Sequence, residues 1–139
     1  MMKQMDTDMV VYLLGSAKEA ALCQSIIEQS GHFNSMNLSG KLTFLQSAAL
    51  MKDAVMNYVN DSAPMHFASA MNAPVTAVYC STVPEFGFGP RSDQSFVVQI
   101  QETLSCRPCG LHGYKKCPKK HFKCGMQIHV KQLLDTLPE

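Results

Sequence analysis

Short apolar runs and longer amphipathic runs take turns along the 139 residues of this chain. Met9-Val10-Val11-Tyr12-Leu13-Leu14 ends at Gly15-Ser16 and reads as a buried strand with a turn at its carboxyl end. From Lys18 to Ser30 the apolar positions Ala20, Cys23, Ile26 and Ile27 recur at helical spacing, and Gly31 supplies the stop. Asn37-Leu38-Ser39-Gly40-Lys41 is a turn that follows a short strand. A second helical run comes next, with Leu42, Leu45, Ala49 and Lys52 on one stripe and Thr43 or Lys41 near its start. Ala54–Val59 is strand-like, and a third helix runs from about Pro64 to Met71. Val75–Cys80 and Ser95–Ile100 are further strands, separated by a loop at 81–93 that carries Pro84, Gly87, Gly89 and Pro90. A last helix over about 127–137 places Val130, Leu133, Leu134 and Leu137 on one face.

Strands alternating with helices predict βαβ units, hence an α/β fold with a mostly parallel sheet and helices on both faces. The length predicts one domain over 1–139, with a Cys/Lys-rich loop at 103–126. In such sheets ligands bind beyond the carboxyl ends of the strands. Three loops leave that edge: 15–17, 60–66 and 81–93.

Composition changes this picture little. The chain is 46% hydrophobic, and ten methionines are accounted for as flexible core fillers. No apolar run approaches the ~20 residues of a membrane span, and no signal-peptide core precedes the acidic Asp6 and Asp8. A soluble, cytoplasmic protein is expected. Charge is more informative. Residues 1–102 carry five Lys/Arg and nine Asp/Glu, whereas 103–139 carry seven and two, with no acid between Thr103 and Leu134. That basic tail suits nucleic acid, anionic headgroups or a phosphorylated ligand, or else it is a solvated loop.

The segment Asn60-Asp61-Ser62-Ala63-Pro64-Met65-His66 turns a strand into a helix. A helix start offers unpaired N–H groups and a partial positive charge. Ser62 suits the N-cap, where its hydroxyl serves a helix N–H or a phosphate oxygen. Ala63 lets a ligand approach closely. Asp61 would repel phosphate, so it is expected on sugar hydroxyls or a backbone N–H, and His66 can donate to phosphate or sugar. A plain capped helix start with a half-buried His explains the same residues. Gly15-Ser16-Ala17 lacks a full dinucleotide fingerprint and equally reads as a tight turn, with Glu19 and Lys41 as surface residues.

Four cysteines, Cys106, Cys109, Cys117 and Cys124, share the basic tail in a C-x2-C-x7-C-x6-C pattern. A structural zinc held by these thiolates, with His112 or His121 as substitutes, is one reading. Reduced unligated thiols and disulfides are the others. Cys23 and Cys80 lie in apolar patterns and read as buried thiols.

Taken in order, Gly15-Ser16-Ala17-x-Glu19, Asn37-Leu38-x-Gly40-Lys41-x-Thr43, Asn60–His66-x-Ala68, Pro74 and Phe86-Gly87-Phe88-Gly89-Pro90 resemble the C-terminal half of the ADP-heptose:lipopolysaccharide heptosyltransferases, glycosyltransferase family nine. The likeness covers roughly 9–137, and the Cys-Arg-Pro-Cys-Gly tail resembles one branch of the family. It implies a Rossmann-like domain, the donor-binding half of a GT-B enzyme that transfers heptose from ADP-heptose, or a similar nucleotide sugar, to the lipopolysaccharide inner core with inversion and without a cofactor. By position, Ser62 and Ala63 would face the donor diphosphate, Asp61 and His66 the heptose or its phosphate, Glu19 the ribose and Leu42 the adenine pocket. Gly15 belongs to the same donor-binding set. Ala63 stands where the family often has Gly. Lys41 or Arg91 would replace a phosphate-binding lysine found earlier in the family's donor domain.

The resemblance places the acceptor site and the general base in an N-terminal domain that this sequence does not include. The expectation is therefore a donor-binding half with an exposed apolar cleft face, no nucleic-acid partner, and peripheral contact with the inner membrane. A non-catalytic nucleotide-binding remnant and a zinc-bearing interaction module are the alternatives.

Overall fold

A computed structural model describes residues 1–138. Within the single domain expected for the chain it distinguishes two compact units, 1–49 and 50–139. In the first, β1 (Val11–Leu13) and β2 (Ser35–Asn37) pair in parallel, Val11 opposite Ser35, with α1 (Ala20–Ser30) as the crossover. A capping box opens this helical stretch: Glu19 Oε2 accepts from the N–H and the Oγ–H of Ser16, both at 2.7 Å. Gly31, at φ 67°, closes it by donating to Ile27 O. Buried His32 reaches Ser35 Oγ at 3.0 Å and the Asp6 carbonyl at 3.1 Å, which ties down the N-terminal segment.

Gly40 has two reasons to be glycine. Its φ is +74°, and a Cβ there would lie 2.7 Å from Ala17 Cα and 2.8 Å from Ala17 Cβ. Backbone, not a flexible side chain, fills that space. Gly40→Ala is therefore expected to destabilise the first unit by about 2 kcal/mol through left-handed strain and overpacking, read as a lowered urea midpoint. An unchanged midpoint would show that the turn relaxes freely.

The second helix, α2 (Phe44–Lys52), corrects the predicted stripe. Thr43 caps it reciprocally with Gln46: Thr43 N–H donates to Gln46 Oε1 and Gln46 N–H to Thr43 Oγ1. Starting there, the helix buries Ala48 and Met51 and leaves Leu45 83% exposed. Phe33 and Phe44 are also largely exposed.

The second unit carries a three-stranded parallel sheet, β3 (Asn57–Asn60), β4 (Val75–Tyr79) and β5 (Ser95–Gln99), in the order β3-β4-β5. Asn57 faces Val75, which faces Ser95. Parallel α/β architecture is as expected, but the strands form two ladders rather than one. β3 begins at Asn57 and not at Ala54 because the end of α2 takes Ala54 into a turn onto Met51 O, while the Asn57 side chain bonds Met51 O and Pro74 O. Central β4 is the core: Val75, Thr76, Ala77 and Tyr79 are wholly buried, against Met65 and Ala68 of α3 (Ala63–Ala70) and Val98 of β5. Buried Thr76 donates to Thr136 Oγ1 at 2.8 Å, and Tyr58 Oη donates to Leu133 O. These bonds fasten the chain's end to the sheet.

The single helix expected over 127–137 is instead two pieces, α4 (Lys123–Met126) and α5 (Val130–Leu134). His129 and Gln132 form a capping box that restarts the helix at Val130. No helix among the described residues is long and apolar enough to cross a membrane.

Candidate functional site

Strand β3 ends at Asn60 and β4 at Tyr79, and because they are parallel both release the chain at the same edge of the sheet. Asp61, half-buried, accepts from buried Thr82 Oγ1 at 2.6 Å, which clamps the two loops together. Ser62 takes the extended N-cap backbone, φ −162° and ψ 177°, yet its hydroxyl makes no cap bond. It has only a long contact to Asn60 O at 3.4 Å. Pro64 has no N–H, and Met65 N–H is taken by Ser62 O. The N–H groups of Ser62 and Ala63 find no acceptor among the described residues. This turn thus presents two backbone donors and a hydroxyl held only by that long contact, with His66 exposed one turn along the same helix face.

The 81–93 loop lines α3. Phe88 meets the His66 ring edge-on, with centroids 6.4 Å apart, and its carbonyl accepts from Tyr79 Oη at 2.6 Å. Arg91 N–H donates to Ser69 Oγ, and the Asn72 side chain pairs with Asp93. Burial, followed by the charges of Asp61 and Glu85, pushes the Tyr79 phenol up to about 12. The fold favours its neutral form, so this stabilisation is complete below about pH 10 and is lost as pH rises towards about 12. A drop of the order of 2 kcal/mol over that window is expected, and Tyr79→Phe should flatten it. Equal pH profiles for the two proteins would contradict the assignment.

Sequence reasoning missed Thr82 and Arg107. Arg107, in the Cys-rich segment, donates through Nε to Cys80 O at 2.8 Å and through its Nη2 to Thr82 O at 2.8 Å and to Gln99 Oε1 at 2.6 Å. It thereby holds the basic segment to the ends of β4 and β5. An arginine between two thiols was the signal, overshadowed by the metal pattern.

In the first unit, Gly15, Ser16 and Glu19 form one turn, and Gly40 N–H donates to Gly15 O at 2.8 Å. A Cβ on Gly15 would stand 3.2 Å from Glu19 Oε2 and 3.3 Å from Ser39 Oγ. Ser39 Oγ is buried without a hydrogen-bond partner among the described residues, and it too went unremarked in the sequence. The Ser16 hydroxyl, then the Ser16 N–H, hold the Glu19 carboxyl below its usual range. Exposed Lys41 and half-buried Leu42 follow on the same turn. The expected donor residues thus divide between the units: Gly15, Glu19, Lys41 and Leu42 in one, Asp61, Ser62, Ala63 and His66 in the other.

Cys106, Cys109 and Cys117 line one recess of about 310 Å³, with Cys106 Sγ 3.8 Å from His121 Nε2. Yet Cys109 Sγ donates to Cys106 O, and Cys117 collects backbone N–H groups, that of Phe122 foremost, which lower its thiol. Buried Cys124 is raised by burial and by the neighbouring Cys109 and Cys117. Among the described residues no three Cys, His, Asp or Glu side chains are arranged to hold one metal ion. The four thiols are neighbours, with Cys124 beside Cys109 and Cys117.

The fold and the turn define a class: parallel α/β proteins that open their ligand sites at the carboxyl edge of the sheet. The sequence model of Glycosyltransferase family 9 (heptosyltransferase) matches residues 2–119, and the chain belongs to that family. Lipooligosaccharide heptosyltransferase 2 of Haemophilus influenzae is 32% identical over 96 residues, 66% of this chain and 27% of that protein. Among solved structures, E. coli ADP-heptose lps heptosyltransferase II has a TM-score of 0.63 at 24% identity, covering 92% of this chain and 36% of that one. A family 9 glycosyl transferase from Veillonella parvula has a TM-score of 0.57 at 26% identity, covering 64% and 25%. The fold is that of part of a GT-B family 9 enzyme, and the chain spans about a quarter to a third of the length of these relatives.

Proposed function

We propose that this chain is the donor-binding portion of a heptosyltransferase, taking ADP-heptose and passing heptose to the inner core of lipopolysaccharide. The observation that carries this reading is the Asp61–His66 turn, a helix start whose Ser62 hydroxyl makes no cap bond, within a chain of this family. The amides of Ser62 and Ala63, the Ser62 hydroxyl and the positive end of α3 receive the diphosphate. Asp61, positioned by Thr82, keeps one carboxylate oxygen for a sugar hydroxyl, and His66, with its ring set by Phe88, donates to the sugar or its phosphate.

Transfer then requires an acceptor hydroxyl in line with the anomeric carbon and a base within hydrogen-bond reach of it. Inversion follows from a single displacement, in which the acceptor oxygen bonds to the anomeric carbon as ADP leaves. Here the chain's residues act on the leaving group: hydrogen bonds to the diphosphate strengthen as its charge develops. The general base belongs to the acceptor-binding portion of the enzyme. The reaction needs no cofactor and takes place in the cytoplasm, at the surface of the inner membrane.

Calorimetry tests the reading. ADP and ADP-heptose should both bind, ADP-heptose the more tightly, and His66→Ala should remove about tenfold of that preference while sparing ADP. Absence of binding by either nucleotide at millimolar concentration would refute the proposal.

A further inference from the structure

The donor turn leaves the basic segment unexplained. A cleft of about 660 Å³ opens beside the end of β4, lined by Ser81, Tyr114, Lys115, Lys116, Lys120 and Phe122 among others. Its lysines form no ion pair, Lys131–Asp135 being the pair among the described residues, and the sequence has no acid from 103 to 134. Its walls are aromatic and open, Tyr114 66% and Phe122 44% exposed.

The cleft's backbone is unusual. Three non-glycine residues among the described ones have positive φ, and two of them, Lys120 at 59° and Phe122 at 42°, line this cleft. Such conformations cost energy and persist where surrounding structure enforces them. The enforcement is visible. Gly125 lies under the Phe122 ring so closely that a Cβ would fall 2.5 Å from it, and Gly113, at φ +67°, brings the loop equally close to Ser81 Oγ. Arg107 and the Cys109 N–H bond to Ser81 O anchor the whole segment.

We infer that this cleft is a subsite for a phosphorylated saccharide, distinct from the donor turn. Three ammonium groups match phosphate charge. Aromatic faces stack on a sugar ring, and the Ser81 hydroxyl meets its hydroxyls. The volume is that of a small-ligand site, within the ~300–1,000 Å³ usual for such pockets. Ser81 precedes Thr82, the partner of Asp61, so a sugar held here lies on the same edge as the donor turn. The inference goes beyond the proposed function and stands independently of it.

The test is an NMR titration of the chain with mannose 6-phosphate, mannose and inorganic phosphate. Mannose 6-phosphate should saturate and shift the Tyr114 and Phe122 rings, phosphate should bind more weakly, and mannose should not bind. The triple variant Lys115→Gln, Lys116→Gln, Lys120→Gln should weaken mannose 6-phosphate at least tenfold, with its circular dichroism unchanged. Tyr114→Ala should weaken mannose 6-phosphate but not inorganic phosphate. Ser62→Asp should leave the titration as it is, so failure here is separable from failure of the donor assignment. Undiminished binding by the triple variant would overturn the inference. So would lysine-dependent binding to phosphatidylglycerol vesicles or an RNA oligonucleotide without saturation by mannose 6-phosphate.

Discussion

Replacing Ser62 by Asp should cut affinity for ADP and ADP-heptose at least a hundredfold while leaving the fold intact. Ser62 is exposed, and its hydroxyl makes no helix-capping bond, so the fold loses little; a carboxylate at an N-cap position even suits the helix. The ligand loses much. A carboxylate about 4 Å from a diphosphate costs about 4 kcal/mol per charge pair at an effective dielectric near 20. Solvent at this open turn reduces that to about 3 kcal/mol, which corresponds to about a hundredfold. The combination of unchanged stability and lost affinity is diagnostic. A plain capped helix start predicts the reverse sensitivity, since removing the hydroxyl by Ser62→Ala would then cost stability and leave nucleotide binding alone.

Arg107→Ala is expected to produce the largest loss of stability, about 4 kcal/mol in the second unit. Three charge-assisted bonds to Cys80 O, Thr82 O and Gln99 Oε1 disappear together, and two of them satisfy carbonyls at the strand ends. Bonds to charged groups contribute about 1.5–3 kcal/mol each, and three in one fork do not add fully. Arg107→Lys should recover less than half, because an ammonium cannot serve three acceptors in that planar arrangement. The chain has no tryptophan, so urea unfolding is best followed by circular dichroism. A midpoint for Arg107→Ala equal to that of the parent protein would contradict the anchoring role. The same variant should also loosen the lysine cleft, because its walls hang from this anchor.

The legible parts of the molecule were those with local causes. β-branched runs gave β1, β4 and β5, and Gly31 stopped α1 because only a left-handed residue closes that helix end. The strand-to-helix turn at Asn60–His66 was visible from Ser62 and Pro64 alone. Tertiary partners decided what the pattern could not. The apolar stripe of α2 slipped from Leu45 and Ala49 to Ala48 and Met51, since Thr43 and Gln46 fix the first turn and periodicity alone carries no phase. The final helix broke at His129 because side-chain caps compete with helix continuation. Thr82 and Arg107 stand 21 and 27 residues from partners they bond, Asp61 and Cys80, distances over which a single sequence gives no signal. The cysteines show the same limit: their spacing left a zinc site, reduced thiols and disulfides open, and gave no hint that Cys109 Sγ bonds Cys106 O or that Arg107 between them reaches Cys80 O.

The central claim is that the turn at Ser62 and Ala63 receives the donor's diphosphate. An amide proton–nitrogen NMR titration with ADP tests it residue by residue. The account predicts that the largest shifts fall on the Ser62 and Ala63 amides, with His66 following. Saturable ADP binding that leaves those three signals in place, and moves those of the lysine cleft instead, would contradict it.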